Sequence, residues 1–147
     1  MQQLFNHGAD SNVRDKYLSW TPLLPVANAG CLEVVRVLVE HNADINALDG
    51  EGRTPLHVAS KSSRTNIVQL LLGHNVHVNA WDNNCLTLLD LASEVGTLEV
   101  VNLLPEHDAN VEVKDDVGRT VFQDASAEGH EEVVKLHSEH GSNTGMP

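Results

Sequence analysis

An all-α solenoid, built from stacked helix–turn–helix units with hairpin-like loops, is the fold this sequence predicts. Three observations predict it. The first is a helix start written four times at a spacing of 33 residues, at Thr21, Thr54, Thr87 and Thr120. The second is an apolar, helically periodic segment behind each start: "LEVVRVLVEH", "TNIVQLLLGH", "LEVVNLLPEH" and "EEVVKLHSEH". The third is composition. Only 3% of the 147 residues are aromatic, and Val, Leu and Ala carry the apolar content, which suits small helices packed closely. A fixed period of roughly 20–50 residues is the signature of a repeat array.

The elements follow in order within each unit. "RTPLHVAS", residues 53 to 60, is the clearest start: the Thr54 side chain can cap the first turn, and Pro55 sits where a missing N–H costs nothing. Leu56 and Ala59 open an apolar face. Val26, Ala59, Ala92 and Ala125 hold equivalent places, then Ala27, Ser60, Ser93 and Ser126. A break follows at Gly30, Ser63, Gly96 and Gly129. The second segment repeats apolar residues at helical spacing, as at Val34, Val35, Leu38 and Val39. Each unit closes in a turn-rich stretch that leads to Asp49, Asp82 or Asp115. Helices of roughly 8–10 residues are too short to stand alone in water, and stacking buries a continuous seam.

Departures from the pattern carry their own expectations. Pro25 stands where a helical N–H is first wanted, so the first turn there should be distorted. Pro105 should end the second helix of its unit at about Leu104. Thr87-Leu88 and Thr120-Val121 lack the proline, which leaves those starts less preset. The loop glycine found at Gly52 and Gly118 is lost at Cys85 and near Ser19. Asp124, His137 and Ser138 put polar groups at inward positions of the last unit, which suits the outer face of a terminal cap. No cap helix precedes the first unit, so the chain is expected to be a fragment of a longer array or to fray at that end.

This pattern resembles the ankyrin repeat. "DGEGRTPLHVASKSSRTNIVQLLLGHNVHVNA", residues 49 to 80, is the best copy, and "TPLL…AGCLEVVRVLVEHNADINA" follows it closely. "LFNHGADSN", residues 4 to 12, looks like the end of a partial unit. The division is then one domain over 1–147, with a partial repeat at 1–13 and repeats at about 14–47, 48–80, 81–113 and 114–146. The resemblance implies an elongated, slightly curved stack. It also implies that His57 hydrogen-bonds between neighbouring loops, and that loop tips and first-helix faces form a concave strip for a protein partner. The candidate contacts are Tyr17 and Trp20; Leu48, Glu51 and Arg53; Trp81, Asn83, Asn84 and Leu86; and Lys114 and Arg119, with Lys16 and Val117 beside them. Trp, Tyr and Arg are enriched at interaction hot spots. For Trp20, packing between loops and partner contact both stay open; Trp81 is read as a partner contact. Leu38…Asp44-Ile45-Asn46 resembles a loop in which ankyrin Asn is hydroxylated, but the simpler reading is that Asn46 and Asn79 hydrogen-bond their own loops.

Charge and motif content exclude much else. A net charge of -12 disfavours nucleic acid and anionic membranes, whose affinity rests on Lys and Arg. No apolar run approaches the ~20 residues of a membrane span, and "MQQLFNHGAD" is not a secretory signal. Cys31 and Cys85 form no motif, which points to free thiols in a reducing compartment and an intracellular location, cytoplasmic or nuclear. His41, His74, His107 and His140, with His7 nearly matching, recur once per unit. Positions roughly 10 Å apart cannot share one zinc ion that needs ligands at ~2 Å. "HEEVVKLH" lacks the zinc-protease spacing, and no nucleophile elbow, phosphate loop or dinucleotide fingerprint is present. Glu33, Glu99 and Glu132 fall near second-helix starts, where negative charge is favoured. The expected protein is non-enzymatic and monomeric, needs no cofactor or metal, and presents a surface to a protein partner. The alternatives are a regulatory inhibitor of an enzyme or transcription factor, and a substrate-recognition fragment of a larger protein.

Overall fold

The computed structural model describes residue 12, residues 21–110 and, in the last unit, residues 114, 117–120, 123, 126–127, 129–132, 134 and 135. Six α-helices form three pairs among them: α1 (Leu23–Ala29) with α2 (Leu32–Glu40), α3 (Pro55–Lys61) with α4 (Thr65–Leu72), and α5 (Leu88–Val95) with α6 (Leu98–Leu103). First helices pack on first helices, α1 on α3 on α5, and second helices on second helices, α2 on α4 on α6. No strand occurs among the described residues, only an isolated antiparallel bridge between Lys114 and Thr120. Asp124, the partial unit apart from Asn12, and the residues beyond Lys135, His137 and Ser138 among them, lie outside the described residues.

The core is the seam between the two rows. Leu23, Ala27, Val35 and Leu38 of the first pair continue into Leu56, Ala59, Ile67, Val68 and Leu71, then into Leu88, Ala92, Val100 and Val101. These are the inward positions of the period, so burial reproduces the repeat. The prolines act as expected. Helix α6 stops at Leu103, and Pro105–His107 forms a single 3₁₀ turn. Helix α1 begins at Leu23, one place later than α3 begins at Pro55, and the buried Thr21 hydroxyl has no hydrogen-bond partner among the described residues.

Good caps turn on the third residue of each helix. Thr54 and Thr87 form capping boxes with His57 and Asp90, and the Thr120 N–H donates to Gln123 Oε1 at 2.8 Å. Leu24 holds that place in the first unit and has nothing to offer, which leaves Thr21 alone. Between the helices of a pair, Gly30 and Gly96 take φ of 85° and 80°. The next unit lays Arg64 over Gly30 and His130 over Gly96, where a Cβ would collide with the overlying side chain. Ser63 tolerates a φ of 56° at the equivalent turn. The residue above it is the smaller Thr97, whose hydroxyl lies 3.0 Å from that of Ser63.

Asparagines tie successive loops together, which corrects the expectation that they serve their own loops. Asn46 Oδ1 accepts from His77 N–H at 2.9 Å, and its amide N–H donates to Asn75 O. Asn79 makes the same pair with Asn110 and Asp108, and Asn12 with Asp44 and Asn42. One amide group matches a backbone N–H and C=O of the following unit, so each Asn acts as an inter-unit clasp.

Helix α4 is packed on both sides, by α2 and α6, and solenoid units can open separately. Amide exchange should therefore be slowest at Leu70 to Leu72 and faster toward both ends. Hydrogen-exchange mass spectrometry that found equal protection in every helix would contradict this.

Candidate partner-binding site

The hairpins at Asp49 and Asp82 are each organised by a buried aspartate. Asp49 Oδ1 accepts from the N–H groups of Glu51 and Arg53 at 2.8 and 2.9 Å. Asp82 Oδ1 accepts from Asn84 and Leu86 at 2.8 and 3.0 Å. The backbone closes each loop through Asp49 N–H to Arg53 O and Asp82 N–H to Leu86 O, both 3.0 Å. Reading charge and period alone missed this role; the signal was an Asp recurring every 33 residues ahead of a turn.

Adjacent hairpins touch. The Asn83 N–H donates to Glu51 O at 2.9 Å, and its side-chain amide donates to Gly50 O at 3.3 Å. Asn83 is exposed, but it is occupied in holding the second hairpin to the first. Arg53 is likewise engaged: its Nε lies 2.8 Å from Asp49 Oδ2 and its Nη1 3.4 Å from Glu51. Glu51, Asn84, Lys114 and Arg119 are exposed, and Leu86 is half-buried. Tyr17 and Trp20, with Lys16, lie outside the described residues.

The residue before each aspartate is the prominent one. Leu48 and Trp81 are each 48% exposed, and they hold equivalent places on hairpins that contact one another. No hydrogen bond or ring contact holds the Trp81 indole among the described residues. Val117, on the third loop, is 72% exposed.

Cys85 sits at the loop-glycine position with a φ of 60°, where Gly52 and Gly118 have 73° and 82°. A side chain in this left-handed region costs about 1 kcal/mol. Cys85→Gly should therefore raise the melting temperature by about 3 °C. An unchanged or lower melting temperature would count against strain at that turn.

His57 connects the helix layer to the hairpins. Its ring is buried; Nδ1 accepts from Thr54 N–H at 3.2 Å and lies 2.8 Å from the Thr54 hydroxyl, while Nε2 reaches Ala80 O at 3.1 Å. The Nε2–H tautomer satisfies all of these. Burial pushes its pKa below 6.5, against the opposing pull of Asp82. Among the described residues no three His, Cys, Asp or Glu side chains converge to hold a metal ion, and no helix is long and apolar enough to cross a membrane.

A turn–helix–helix unit repeated in register, with a buried histidine that ties the first helix to the end of its unit and aspartate-closed hairpins, is a family-level pattern. The family model for ankyrin repeats, in three copies, matches residues 1–82. The chain belongs to the ankyrin-repeat family. Ankyrin repeats are protein-interaction modules, and His57 takes the bridging role the family resemblance implied. Several relatives share short stretches. The mouse (Mus musculus) 2-5A-dependent ribonuclease is 37% identical over 59 residues, 40% of this chain and 8% of that protein. The Drosophila melanogaster NF-kappa-B inhibitor cactus is 59% identical over 34 residues, 22% of this chain and 7% of that protein. Human (Homo sapiens) Rabankyrin-5 is 52% identical over 42 residues, 29% of this chain and 4% of that protein. The chain spans less than a tenth of the length of each.

Proposed function

We propose that this ankyrin-repeat chain is a non-enzymatic binding module that presents its hairpin edge and first-helix faces, as a rigid concave strip, to one protein partner. The observation that carries the reading is the exposed pair Leu48 and Trp81 on contacting hairpins. A large ring left half in water on a rigid support is apolar area available to a partner. Glu51, Asn84, Leu86, Lys114 and Arg119 belong to the same proposed surface, as do Tyr17 and Trp20 by their register in the sequence. The net charge of -12 favours a partner that surrounds its ring pocket with Lys or Arg. The chain acts as an intracellular monomer, divided into a partial repeat at 1–13 and repeats at about 14–47, 48–80, 81–113 and 114–146.

A regulatory-inhibitor role is the second reading, favoured by the 59% identity to part of a protein named as an NF-kappa-B inhibitor. A recognition segment within a longer protein is the third, favoured by the length of the relatives. The test is affinity capture from the source cell with the wild-type chain and with a Leu48→Ser/Trp81→Ala variant, read by mass spectrometry. A protein retained by the wild type and lost with the variant supports the reading. Identical captures from both would remove the hairpin edge as the binding surface.

A further inference from the structure

A cleft of about 380 Å³ opens between α1 and α3, beside the first hairpin. Its apolar wall is Leu24, Pro25 and Val58, and its rim carries Asn28, Lys61 and Ser62. The cleft lies where the first unit breaks the pattern of its neighbours. Val58 and Leu91 are buried at the position that Pro25 holds, whereas Pro25 is exposed. Leu24 stands where His57 and Asp90 complete capping boxes, and the Thr21 hydroxyl makes no hydrogen bond among the described residues. Sequence choices that weaken a local structure without repairing it mark functional positions.

The polar rim has a definite sign. Arg53 and Asp49 also line the cleft, and Arg53 is held by two carboxylates, at 2.8 Å from Asp49 and 3.4 Å from Glu51, which leaves Lys61 as the cation of the rim. Lys61 is exposed and makes no ion pair among the described residues. The Ser62 hydroxyl donates to Asn28 Oδ1, so the donor capacity left on the Asn28 side chain is its amide N–H groups. An ammonium and an amide donor thus face an apolar trough, in a chain whose net charge is -12.

We infer that this cleft takes an extended peptide segment of the partner that places an apolar side chain against Leu24, Pro25 and Val58 and a neighbouring Asp or Glu carboxylate on Lys61 and Asn28. The inference rests on the protein-binding reading above and names the chemistry of one part of that surface. A volume of this size accepts a large side chain together with a carboxylate, at the small end of ligand pockets (~300–1,000 Å³). The carboxylate gains a charge-assisted bond from Lys61. The apolar residue supplies area, and the acid supplies register and selectivity.

The probe is a blocked hexapeptide of alternating Leu and Glu, titrated into the ¹⁵N-labelled full chain. Amide shifts should concentrate at Asn28, Lys61 and Ser62. A peptide with Gln in place of Glu should bind at least fivefold more weakly. Lys61→Gln should erase that preference and Lys61→Arg restore it, both with unchanged helix content. Equal affinity for the Glu and Gln peptides, stronger binding of a phosphoserine analogue, shifts confined to other faces, or no binding at millimolar peptide would each overturn the inference. Trp81→Ala should leave peptide binding intact. Capture of a partner through Trp81 by a chain that ignores the peptide would therefore refute the cleft alone, while peptide binding without any captured partner would refute the hairpin surface alone.

Discussion

His57→Ala should destabilise the protein by about 3 kcal/mol, and most of the loss should appear at Ala80, where the second full unit ends and the third begins. Three contributions add. The reciprocal half of the capping box, Thr54 N–H to His57 Nδ1, is lost, worth about 1 kcal/mol. The Ala80 carbonyl loses its donor in a partly buried setting, which costs about 1–3 kcal/mol. A ring that is 1% exposed leaves a void beneath the hairpin. Thermal melts should show a fall of about 10 °C, and hydrogen exchange should accelerate in α5 and α6 before α1 and α2. A loss below ~1 kcal/mol, or exchange unaltered beyond residue 80, would show that the histidine is dispensable to the stack.

The same side chain gives stability a pH dependence with a definite sign. Burial holds its folded pKa below the ordinary 6.5, so between the two values the unfolded chain binds more protons than the folded one. Stability from this group is complete above pH 6.5 and falls as the pH drops below it toward the folded pKa. Protonation also sets a new Nδ1–H against the Thr54 N–H that now donates to it. The difference between wild-type and His57→Ala stabilities should shrink on acidification. A difference that stays constant from pH 7.5 to 5 (a window of about one unit above and more than one below the ordinary histidine value) would rule out His57 as the source.

The layout of helices was legible in the sequence because local chemistry and long-range packing agree there. Thr54 and Pro55 open a helix whatever surrounds them, Pro105 ends one, and Val35, Leu38, Val68 and Leu71 are buried because their period matches the seam. What was not legible depends on partners about 30 residues away. Asn46 looks like a self-bonding loop residue until the next loop is placed against it. His57, Asp90 and Gln123 share no chemistry except an acceptor at one helical position, so period alone does not group them. On the candidate surface, position indicated that Leu48 and Trp81 would be exposed. It did not indicate that Arg53 is bound to Asp49 or that Asn83 is bound to the previous hairpin. A cation or an amide in a loop can serve the fold or a partner, and only the neighbouring atoms distinguish the two.

Trp81→Ala should weaken binding to the captured partner tenfold or more while leaving the fold intact. The indole follows Ala80 and directly precedes Asp82, whose carboxylate and backbone pin the loop at both sides, so the ring is presented from a fixed base. Neighbouring units manage with Leu48 and Lys114 in the same place, so the stack does not require a ring there. Its 48% exposure leaves apolar area for a partner to cover. A central aromatic anchor typically carries ~2 kcal/mol or more of binding free energy, and every ~1.4 kcal/mol is a factor of ten in Kd. The loss should appear mainly as faster dissociation, because the ring acts once docked. The acidic charge of the chain should act earlier, on encounter, so added salt should slow association of wild type and variant alike. Surface plasmon resonance at two ionic strengths, with circular dichroism and a thermal melt of the variant, separates these effects. If affinity is unchanged and the melting temperature drops by many degrees, Trp81 is a packing residue, and the contact surface must be sought around Tyr17 and Trp20.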